Sequence, residues 1–516
     1  GLGLIFCGLN SCESQNKRIE NSPNILFAIA DDQSYPHAGV YGFSEINTPG
    51  FDYVANSGVL FHNAFVAAPQ CSPSRAAILT GKNIWELEEA GTHGSAFPNK
   101  FKVFTEELEN NGYFVGFTGK PWGPGNWQIS GRKQNPVGTA YNKHVLSQSP
   151  TKGIRPNNYI ENFKDFFSKK EKGAPFMFWF GAHEPHRVYE YGTGVEAGKD
   201  IDAVRVPAFL PDTEIVRNDV LDYLLEIEHF DSHLFQMISF LKEKGELDNT
   251  FIVVTADNGM PFPYAKANLQ EFGTHVPLAI SMPNIVISKK QVHEPVGLID
   301  IAPTILELVN LSESIAATGK SLMPLLTQED HPKHREFVLT GRERHTHARP
   351  DNLGYPARAI RTEDFLYIYN FDPDRWPAGD PVPKNTENDK RNSVAGFKGL
   401  YPGYQDVDAS PSKTIVMELE NSQDNNALFE LAFSKRPQSQ LYDIKSDPYC
   451  TIDLSNDVKF ESIKIELHNQ LMEALKAQGD PRAFGNPIFD SYPRYSSMRN
   501  FPGFNIRGTY NEIFVK

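Results

Sequence analysis

A thiol and a guanidinium lie one helical turn apart in the run Cys-Ser-Pro-Ser-Arg-Ala-Ala-Ile-Leu-Thr-Gly, residues 71–81. The run predicts that Cys71 lies where a loop ends and a helix begins. The first N–H groups of a helix have no partner inside it, so negative charge is favoured there. Arg75 is placed to hold an anion or to orient the group at Cys71. The pair predicts an oxyanion site, although a lone cysteine is more often a small buried hydrophobic residue.

Hard oxygen ligands follow two other segments of the chain. Asp31 and Asp32 come directly after one apolar run, and Asp257 and Asn258 follow another. Three carboxylates crowded together need a cation, and ligation by oxygen alone favours Ca²⁺ or Mg²⁺ over zinc. Each pair alone is more typical of turns. Together with the cysteine–arginine motif, the four residues predict a metal site, with Ca²⁺ preferred and Mg²⁺ as the alternative.

Short apolar runs are the elements that must position these groups. They span residues 24–30, 113–118, 176–180 and 251–256. Such runs are typical of strands buried on both faces of a parallel sheet. Ligands bind at the carboxyl ends of strands in open α/β sheets, so polar residues after several runs predict one shared site. The apolar spacing also predicts helices over residues 103–112, 214–244 and 301–308.

We therefore expect an α/β fold with a large mixed, mostly parallel sheet sandwiched by helices, and a smaller C-terminal α+β domain containing an antiparallel sheet. Short strands are predicted in this smaller domain at 358–361, 365–369 and 441–444, with an amphipathic helix over 459–478. The expected divisions are a partial signal or lipoprotein segment (1–12), a linker (13–22), a catalytic domain (23–350) and a C-terminal subdomain with a wrapping tail (351–516).

The spacing Cys-x-Pro-x-Arg, continued by Ala-Ala-Ile-Leu-Thr-Gly, resembles the signature of the type I sulfatases of the alkaline phosphatase superfamily. The resemblance extends over nearly the whole chain. It is strongest to the branch that contains heparan N-sulfatase and many bacterial polysaccharide sulfatases. It implies that a maturation enzyme oxidises Cys71 to formylglycine (3-oxoalanine). The metal ligands that it implies are Asp31, Asp32, Cys71, Asp257 and Asn258.

The same resemblance assigns residues around the sulfate group. Lys120 and Lys266 match sulfate-contacting lysines, and His186 matches an active-site histidine. Arg75 is expected to fix the formylglycine. In the implied reaction, one hydroxyl of the formylglycine hydrate attacks sulfur and His186 donates a proton to the departing sugar oxygen. The second hydroxyl then expels sulfate, while the positive groups offset the charge of the transition state.

One position departs from the family pattern. A histidine is usual two residues after the first lysine, whereas this chain has Trp122. In the family that histidine is thought to help expel sulfate, so we hypothesise that His93 takes its role; an ordinary surface-loop histidine is the alternative. His275 and His345 are predicted to line the sugar pocket, with solvated loop positions as the alternative. Trp122 is predicted to stack on a sugar ring, with a buried core position as the alternative.

Net charge and cysteine content limit the partners that the protein can have, and a motif near the start of the sequence predicts its location. The formal net charge of −14 argues against nucleic acid as a partner, and it requires a local cationic pocket for any anionic substrate. Four cysteines in 516 residues exclude a disulfide framework.

Leu9-Asn10-Ser11-Cys12 resembles a bacterial lipobox. It predicts export to the periplasm or outer membrane of a Gram-negative bacterium, with either a lipid anchor at Cys12 or plain signal-peptide cleavage.

The leading functional hypothesis is a sulfatase acting on a sulfated polysaccharide or oligosaccharide. The substrate is expected to be an algal polysaccharide, such as ulvan or carrageenan, or a glycosaminoglycan. The enzymatic alternatives are an N-sulfoglucosamine sulfohydrolase and a phosphoester or phosphonate hydrolase that also uses formylglycine. A surface lipoprotein that only binds glycans is the remaining alternative, and it predicts an unmodified Cys71.

Overall fold

The computed structural model describes residues 22–381, 403–422 and 426–495. The predicted signal or lipoprotein segment with Cys12, nearly all of the linker and the last part of the C-terminal tail lie outside the described residues. Among the helices of the described ranges, none combines the length and the apolar character that crossing a bilayer requires.

Two sheets organise the described chain. The strands are β1 (Asn24–Ala30), β2 (Val59–Phe65), β3 (Phe114–Gly119), β4 (Thr139–Ala140), β5 (Phe176–Gly181), β6 (Thr250–Ala256), β7 (His275–Ser281), β8 (Lys290–Val292), β9 (Val296–Gly297), β10 (Val338–Arg342), β11 (Ala357–Arg361), β12 (Phe365–Asn370) and β13 (Ser439–Asp443). The large sheet follows the order β4-β3-β5-β1-β6-β7-β2-β8, and β9 pairs with β2. β7 is antiparallel to both of its neighbours, and the other pairings are parallel. The predicted mixed, mostly parallel sheet is confirmed.

Helices pack against the two sheets. They are α1 (Pro49–Ser57), α2 (Cys71–Thr80), α3 (Phe104–Asn110), α4 (Tyr159–Lys169), α5 (Thr193–Glu196), α6 (Glu214–Glu243), α7 (Glu271–Thr274), α8 (Ile301–Leu308), α9 (Met323–Thr327), α10 (Pro411–Glu418), α11 (Asn426–Phe433) and α12 (Glu461–Ala477). The helices predicted over 103–112, 214–244 and 301–308 are confirmed as α3, α6 and α8, each within a few residues of its expected ends.

The apolar strands lie at the centre of the large sheet because both of their faces are covered. Every residue of β1 and of β6 is buried, which is typical of a parallel sheet between helical layers. β3, β5, β1 and β6 lie side by side and run in one direction. Their carboxyl ends therefore meet at one edge of the sheet, and the polar residues that follow these strands are brought together there.

The second sheet is antiparallel, as expected, with the order β10-β11-β12-β13. α12 accompanies it and buries Leu467, Leu471 and Leu475. Its first strand, Val338–Arg342, precedes the division expected at residue 350, and the domain limits stay predictions. A buried ion pair of 2.6 Å between Arg361 of β11 and Glu271 of α7 joins this sheet to the large one.

Candidate active site

Cys71 is the first residue of α2, as the sequence predicts, and the whole helix is buried. The residue before it is extended, and Gly81 ends the helix in the left-handed region at φ 67°. The Sγ atom of Cys71 lies 3.4 Å from Oδ1 of Asp31. Burial and the charge of Asp31 raise the pKa of the Cys71 thiol well above its usual value. The unmodified thiol is therefore a poor nucleophile at neutral pH.

Three carboxylates lie next to this thiol, at the ends of β1 and β6. The pairing of Ala30 with Ala256 brings the two strand ends side by side. The backbone N–H of Asp32 donates to Oδ1 of Asp257 over 3.1 Å. Oxygen atoms from Asp31, Asp32 and Asp257 lie within 4.8 Å of one another. Burial, which disfavours the charged form, together with the nearby charge of Asp31, raises the pKa of Asp32 and of Asp257 to about 6.

The donor set of this cluster fits a hard divalent cation. Nδ2 of Asn258 donates to Oδ1 of Asp32 over 2.7 Å. The Oδ1 atom of Asn258 is buried and, within the described residues, has no hydrogen-bond donor. A buried amide oxygen without a donor is unusual and fits a metal ligand. Asp31, Asp32, Asp257 and Asn258 could therefore hold Ca²⁺ or Mg²⁺, as the sequence predicts.

Cationic side chains surround these carboxylates. Nζ of Lys120 lies 2.5 Å from Oδ2 of Asp31, and Nζ of Lys266 lies 2.6 Å from Oδ2 of Asp32. Arg75 donates through Nε to Oδ2 of Asp257 over 2.7 Å, and through Nη1 to the carbonyl oxygen of Lys120 over 2.8 Å. The structure thus brings together three cations that are far apart in the sequence: Lys120 follows Arg75 by 45 residues, and Lys266 follows it by 191.

His186 lies on the more open side of the cluster. Its Nε2 atom is 3.9 Å from Oδ2 of Asp32, and its side chain is 30% exposed. Nδ1 lies 2.6 Å from the carbonyl oxygen of Arg187. A carbonyl can only accept, so Nδ1 carries a proton and Nε2 faces the carboxylates. Burial and the charge of Lys266 lower the pKa of His186 to about 4.

His93 also lies close to the catalytic cluster. Its loop is tied to α2, because the N–H of Gly94 donates to Oγ of Ser72 over 3.1 Å. The ring of His93 is 6% exposed and packs edge-on against His345 at 4.8 Å. Burial and the nearby groups His345 and Arg494 lower its pKa well below the usual value. The surface-loop alternative for His93 is therefore wrong.

The C-terminal segment closes this side of the site. Nη1 of Arg494 donates to the carbonyl oxygen of His345 over 2.5 Å and lies 3.5 Å from Nδ1 of His93. His345 itself is 3% exposed, with its Nδ1 3.6 Å from Oδ1 of Asp406. His345 is therefore a neighbour of His93, and its contact with a sugar stays a prediction.

Trp122 is placed in the core and not on an open surface. Its ring is 2% exposed and packs edge-on against Phe97 at 5.0 Å. Its Nε1–H donates to the carbonyl oxygen of Ser72 over 3.0 Å. A ring with this burial has no free face for a sugar. The predicted stacking is therefore corrected: Trp122 supports the first turn of α2, because burying its large apolar ring there stabilises the fold.

The side chain of His275 also has its hydrogen-bond partners within the protein. Its Nδ1 lies 3.0 Å from Glu271, and its Nε2 lies 2.8 Å from the carbonyl oxygen of His62. Its ring stacks on Tyr35 at 4.1 Å. Both nitrogens have protein partners, and the residue lines a separate cavity of about 530 Å³ that also includes Tyr449. The predicted role of His275 in the sugar pocket is therefore corrected to a structural one.

Asp408 is a member of the cluster that the sequence analysis missed. Its Oδ2 lies 3.3 Å from Nζ of Lys266, and Asp32, His186 and Asp408 offer ligand atoms within 4.8 Å of one another. The residue follows no strand and lies in irregular chain after residue 403. No local pattern marks it, because only the fold brings this segment to the sheet edge.

A buried helix start at the edge of a mostly parallel sheet, ringed by carboxylates and lysines, defines the class of protein. The family description "Sulfatase" matches residues 23–311, and the description "N-sulphoglucosamine sulphohydrolase, C-terminal" matches residues 263–389. The chain belongs to the sulfatase family and is a sulfuric ester hydrolase. Members of this family generally use a formylglycine and a divalent metal.

Relatives of known name support this membership. The human N-sulphoglucosamine sulphohydrolase is 27% identical, and the alignment covers 89% of this chain and 91% of the human protein. An ulvan-active sulfatase from Formosa agariphila is 26% identical over 91% of this chain and 83% of its own length. A protein solved with its substrate D-glucosamine-2-N,6-O-disulfate shares the fold, with a TM-score of 0.62 and 18% identity, over 89% of this chain and 98% of its own.

Proposed function

We propose that this enzyme removes sulfate from a sulfated carbohydrate, using a formylglycine at position 71 and a divalent cation, Ca²⁺ or Mg²⁺. The observation that carries the proposal is the position of Cys71. It begins α2 and lies 3.4 Å from Asp31, inside a ring formed by the two lysines and His186. A buried, protonated thiol is a poor nucleophile toward sulfur. Oxidation of Cys71 by the maturation enzyme gives an aldehyde, and addition of water to that aldehyde supplies the hydroxyl nucleophile.

Each side chain has a role that its position supports. Asp31, Asp32, Asp257 and Asn258 would hold the cation, which when bound supplies charge stabilisation at the sulfate oxygens. The ammonium groups of Lys120 and Lys266 bind the sulfate oxygens. They lie at this position before substrate arrives, so they need little reorganisation as charge develops.

His186 transfers a proton, and Arg75 orients the group at position 71. His186 holds its Nδ1 proton on a backbone carbonyl and directs Nε2 into the site. An anionic substrate raises the pKa of the ring, so Nε2 takes up a proton from solvent and then delivers it to the departing sugar oxygen. Arg75, held by Asp257 and by the carbonyl oxygen of Lys120, orients the group at position 71.

The relatives support a carbohydrate as the substrate. Three of them from Formosa agariphila are named ulvan-active sulfatases. A second candidate activity, hydrolysis of the N-sulfate of glucosamine, is favoured by a specific observation: residues 263–389 match the C-terminal description of N-sulphoglucosamine sulphohydrolase. Both candidates use the same cluster, and they differ in whether the leaving group is a sugar oxygen or a sugar nitrogen.

Sulfate release from defined sugars tests the function. The panel contains O-sulfated fragments of ulvan, carrageenan and glycosaminoglycans, together with glucosamine N-sulfate. The enzyme is produced with its maturation partner, and mass spectrometry verifies formylglycine at residue 71. Cys71→Ala is the matched control and is expected to be inactive. Release of phosphate but not sulfate from matched aryl esters would instead indicate the phosphoester or phosphonate hydrolase.

We also propose that the protein is exported and carries a lipid at Cys12. The support is the sequence Leu9-Asn10-Ser11-Cys12, where a small residue precedes the cysteine. Radiolabelled palmitate incorporation into the full-length chain, compared with Cys12→Ser, tests the proposal. Unlabelled protein in the periplasm would favour plain signal-peptide cleavage.

A further inference from the structure

A cavity opens beside the most exposed side of the catalytic cluster. It has a volume of about 350 Å³ and is lined by two segments, 149–156 and 183–188. His186 belongs to this lining, so the cavity reaches the residue whose Nε2 faces Asp32. Its volume lies at the lower end of the range for small-molecule sites, which run from about 300 to 1,000 Å³, and is sufficient for a sugar residue.

Arg155 is the charged side chain of this cavity that the protein leaves available. Its side chain is exposed, and within the described residues its guanidinium makes no ion pair. The other two cationic side chains that line the cavity form ion pairs with carboxylates. Arg187 binds Asp219 through both terminal nitrogens, at 2.6 and 2.8 Å, and Lys152 pairs with Glu190 at 2.5 Å.

The backbone around Arg155 is held in place. Its N–H donates to Oε1 of Glu184 over 3.0 Å, and the hydroxyl of Tyr159 donates to Oε2 over 2.7 Å. A Cβ atom on Gly153 would meet Oε1 of Glu226 at 2.6 Å and the carbonyl oxygen of Val188 at 2.7 Å. The loop therefore packs closely against the segment that carries His186. This packing fixes the backbone position of Arg155 relative to the catalytic residues.

His183 complements the guanidinium. It is half-buried in the same lining. Burial and the charge of Arg155 lower its pKa to about 3, so its ring is neutral at physiological pH and can donate a hydrogen bond without adding charge. A guanidinium binds carboxylate or sulfate oxygens in a bidentate manner. A protein with a net charge of −14 needs such a local cation to accept a second anion.

We propose that this cavity is a subsite for a second anionic group of the substrate, a uronate carboxylate or a second sulfate, bound by Arg155 beside His183. The inference rests on the proposed carbohydrate sulfatase function and deepens it. It predicts that the enzyme prefers sugars with a second negative charge near the sulfate that is removed.

Binding to the inactive Cys71→Ala protein tests the subsite separately from turnover. Three probes are used in calorimetric titrations: N-acetylglucosamine 6-sulfate, N-sulfoglucosamine 6-sulfate, and a disaccharide of a uronic acid and 6-sulfated N-acetylglucosamine. Arg155→Gln is expected to weaken binding of at least one doubly charged probe about tenfold, because it removes a charge-assisted hydrogen bond. It should change binding of the singly charged probe less than about twofold. The doubly charged probe that loses affinity identifies the anion as sulfate or carboxylate.

Lys152→Gln, a loss of charge on the same loop, is the matched control and is expected to change each affinity less than about twofold. Equal losses for singly and doubly charged probes in Arg155→Gln would overturn the subsite, as would equal losses in the two variants. A wild-type preference for the singly charged sugar would also overturn it. The sulfate-release panel distinguishes this failure from failure of the proposed function. If the enzyme releases sulfate but does not prefer doubly charged sugars, only the subsite proposal is wrong.

Discussion

At the residue scale, the charges of the catalytic cluster explain why a cation belongs there. Asp31, Asp32, Asp257 and Asp408 face the three cations Lys120, Lys266 and Arg75. One negative charge is left in excess, and a sulfate ester would bring another. A divalent cation balances both. Without it, burial of a net negative charge is costly, and the pKa values of about 6 for Asp32 and Asp257 reflect that cost.

Removal of the metal should therefore destabilise the protein. We expect the melting temperature to fall in EDTA and to recover with Ca²⁺ or Mg²⁺, since a cation that binds only the folded state at 100 times its Kd stabilises it by about 2.7 kcal/mol. Differential scanning calorimetry with and without each ion provides the measurement. Asp257→Asn should lose the response to the ion. An identical melting temperature in EDTA and in Ca²⁺ would contradict the metal site.

His93 should be needed for the last step of turnover. His93→Gln is expected to lower kcat about 100-fold or more, as for the loss of a general acid or base, and sulfate should accumulate on residue 71. Steady-state kinetics and intact-protein mass spectrometry give the two readouts. His144→Gln, at a half-buried position, is the control. Unchanged turnover together with no bound sulfate would exclude this role.

At the element scale, the site depends on how the two sheets are joined. Glu271 at the start of α7 accepts from Arg361 of β11, and Nδ1 of His275 lies 3.0 Å from it. Burial alone would raise the pKa of Glu271, but Arg361 and His275 outweigh it and lower the pKa to about 2. The carboxylate is therefore charged at physiological pH and is paired inside the protein.

Breaking this ion pair should be costly because the remaining partner stays buried. We expect Glu271→Gln to lower the free energy of unfolding by about 3–5 kcal/mol, measured by urea denaturation. The double variant Glu271→Gln with Arg361→Met should recover part of the loss, since no unpaired charge remains. Lys100→Gln breaks an exposed pair with Glu88 and should cost less than about 1 kcal/mol. Similar losses for the two single variants would argue against a structural role for the buried pair.

At the scale of the whole molecule, buried histidines make stability depend on pH. Burial lowers the pKa of His37 and of His233 to about 3, and that of His229 to about 4. These rings stay neutral in the folded chain, whereas in the unfolded chain they take up protons below about pH 6.5. The unfolded state then binds more protons, so the free energy of unfolding falls as the pH drops from about 6.5 toward about 4.

His37 provides the test of this pH dependence. It is 2% exposed, and its Nδ1 lies 3.0 Å from the hydroxyl of Tyr223. His37→Gln should reduce the fall in unfolding free energy by about 1.4 kcal/mol per pH unit between pH 6 and pH 4, measured by urea denaturation at each pH. A His37→Gln slope equal to the wild-type slope would show that His37 does not contribute to acid lability.

Much of the fold and the centre of the site could be predicted because their signals are local. Apolar runs mark buried strands, and the polar residues that follow them lie at one sheet edge whenever the strands are parallel. Cys71 and Arg75 are one turn apart, so their relation depends only on the helix. Asp31, Asp32 and Asp257 needed no more than the parallel pairing of β1 with β6.

The sequence by itself therefore determined the sulfatase motif, the metal-binding carboxylates and the strand ends that carry them. Only the tertiary structure decided which distant residues join them. Trp122 and His275 are chemically suited to bind sugar, yet both are packed and hydrogen-bonded within the protein. Asp408, Arg494 and Arg155 come from irregular segments, and no periodicity links them to the cluster. Their positions follow from long-range burial and charge pairing, which depend on the complete fold.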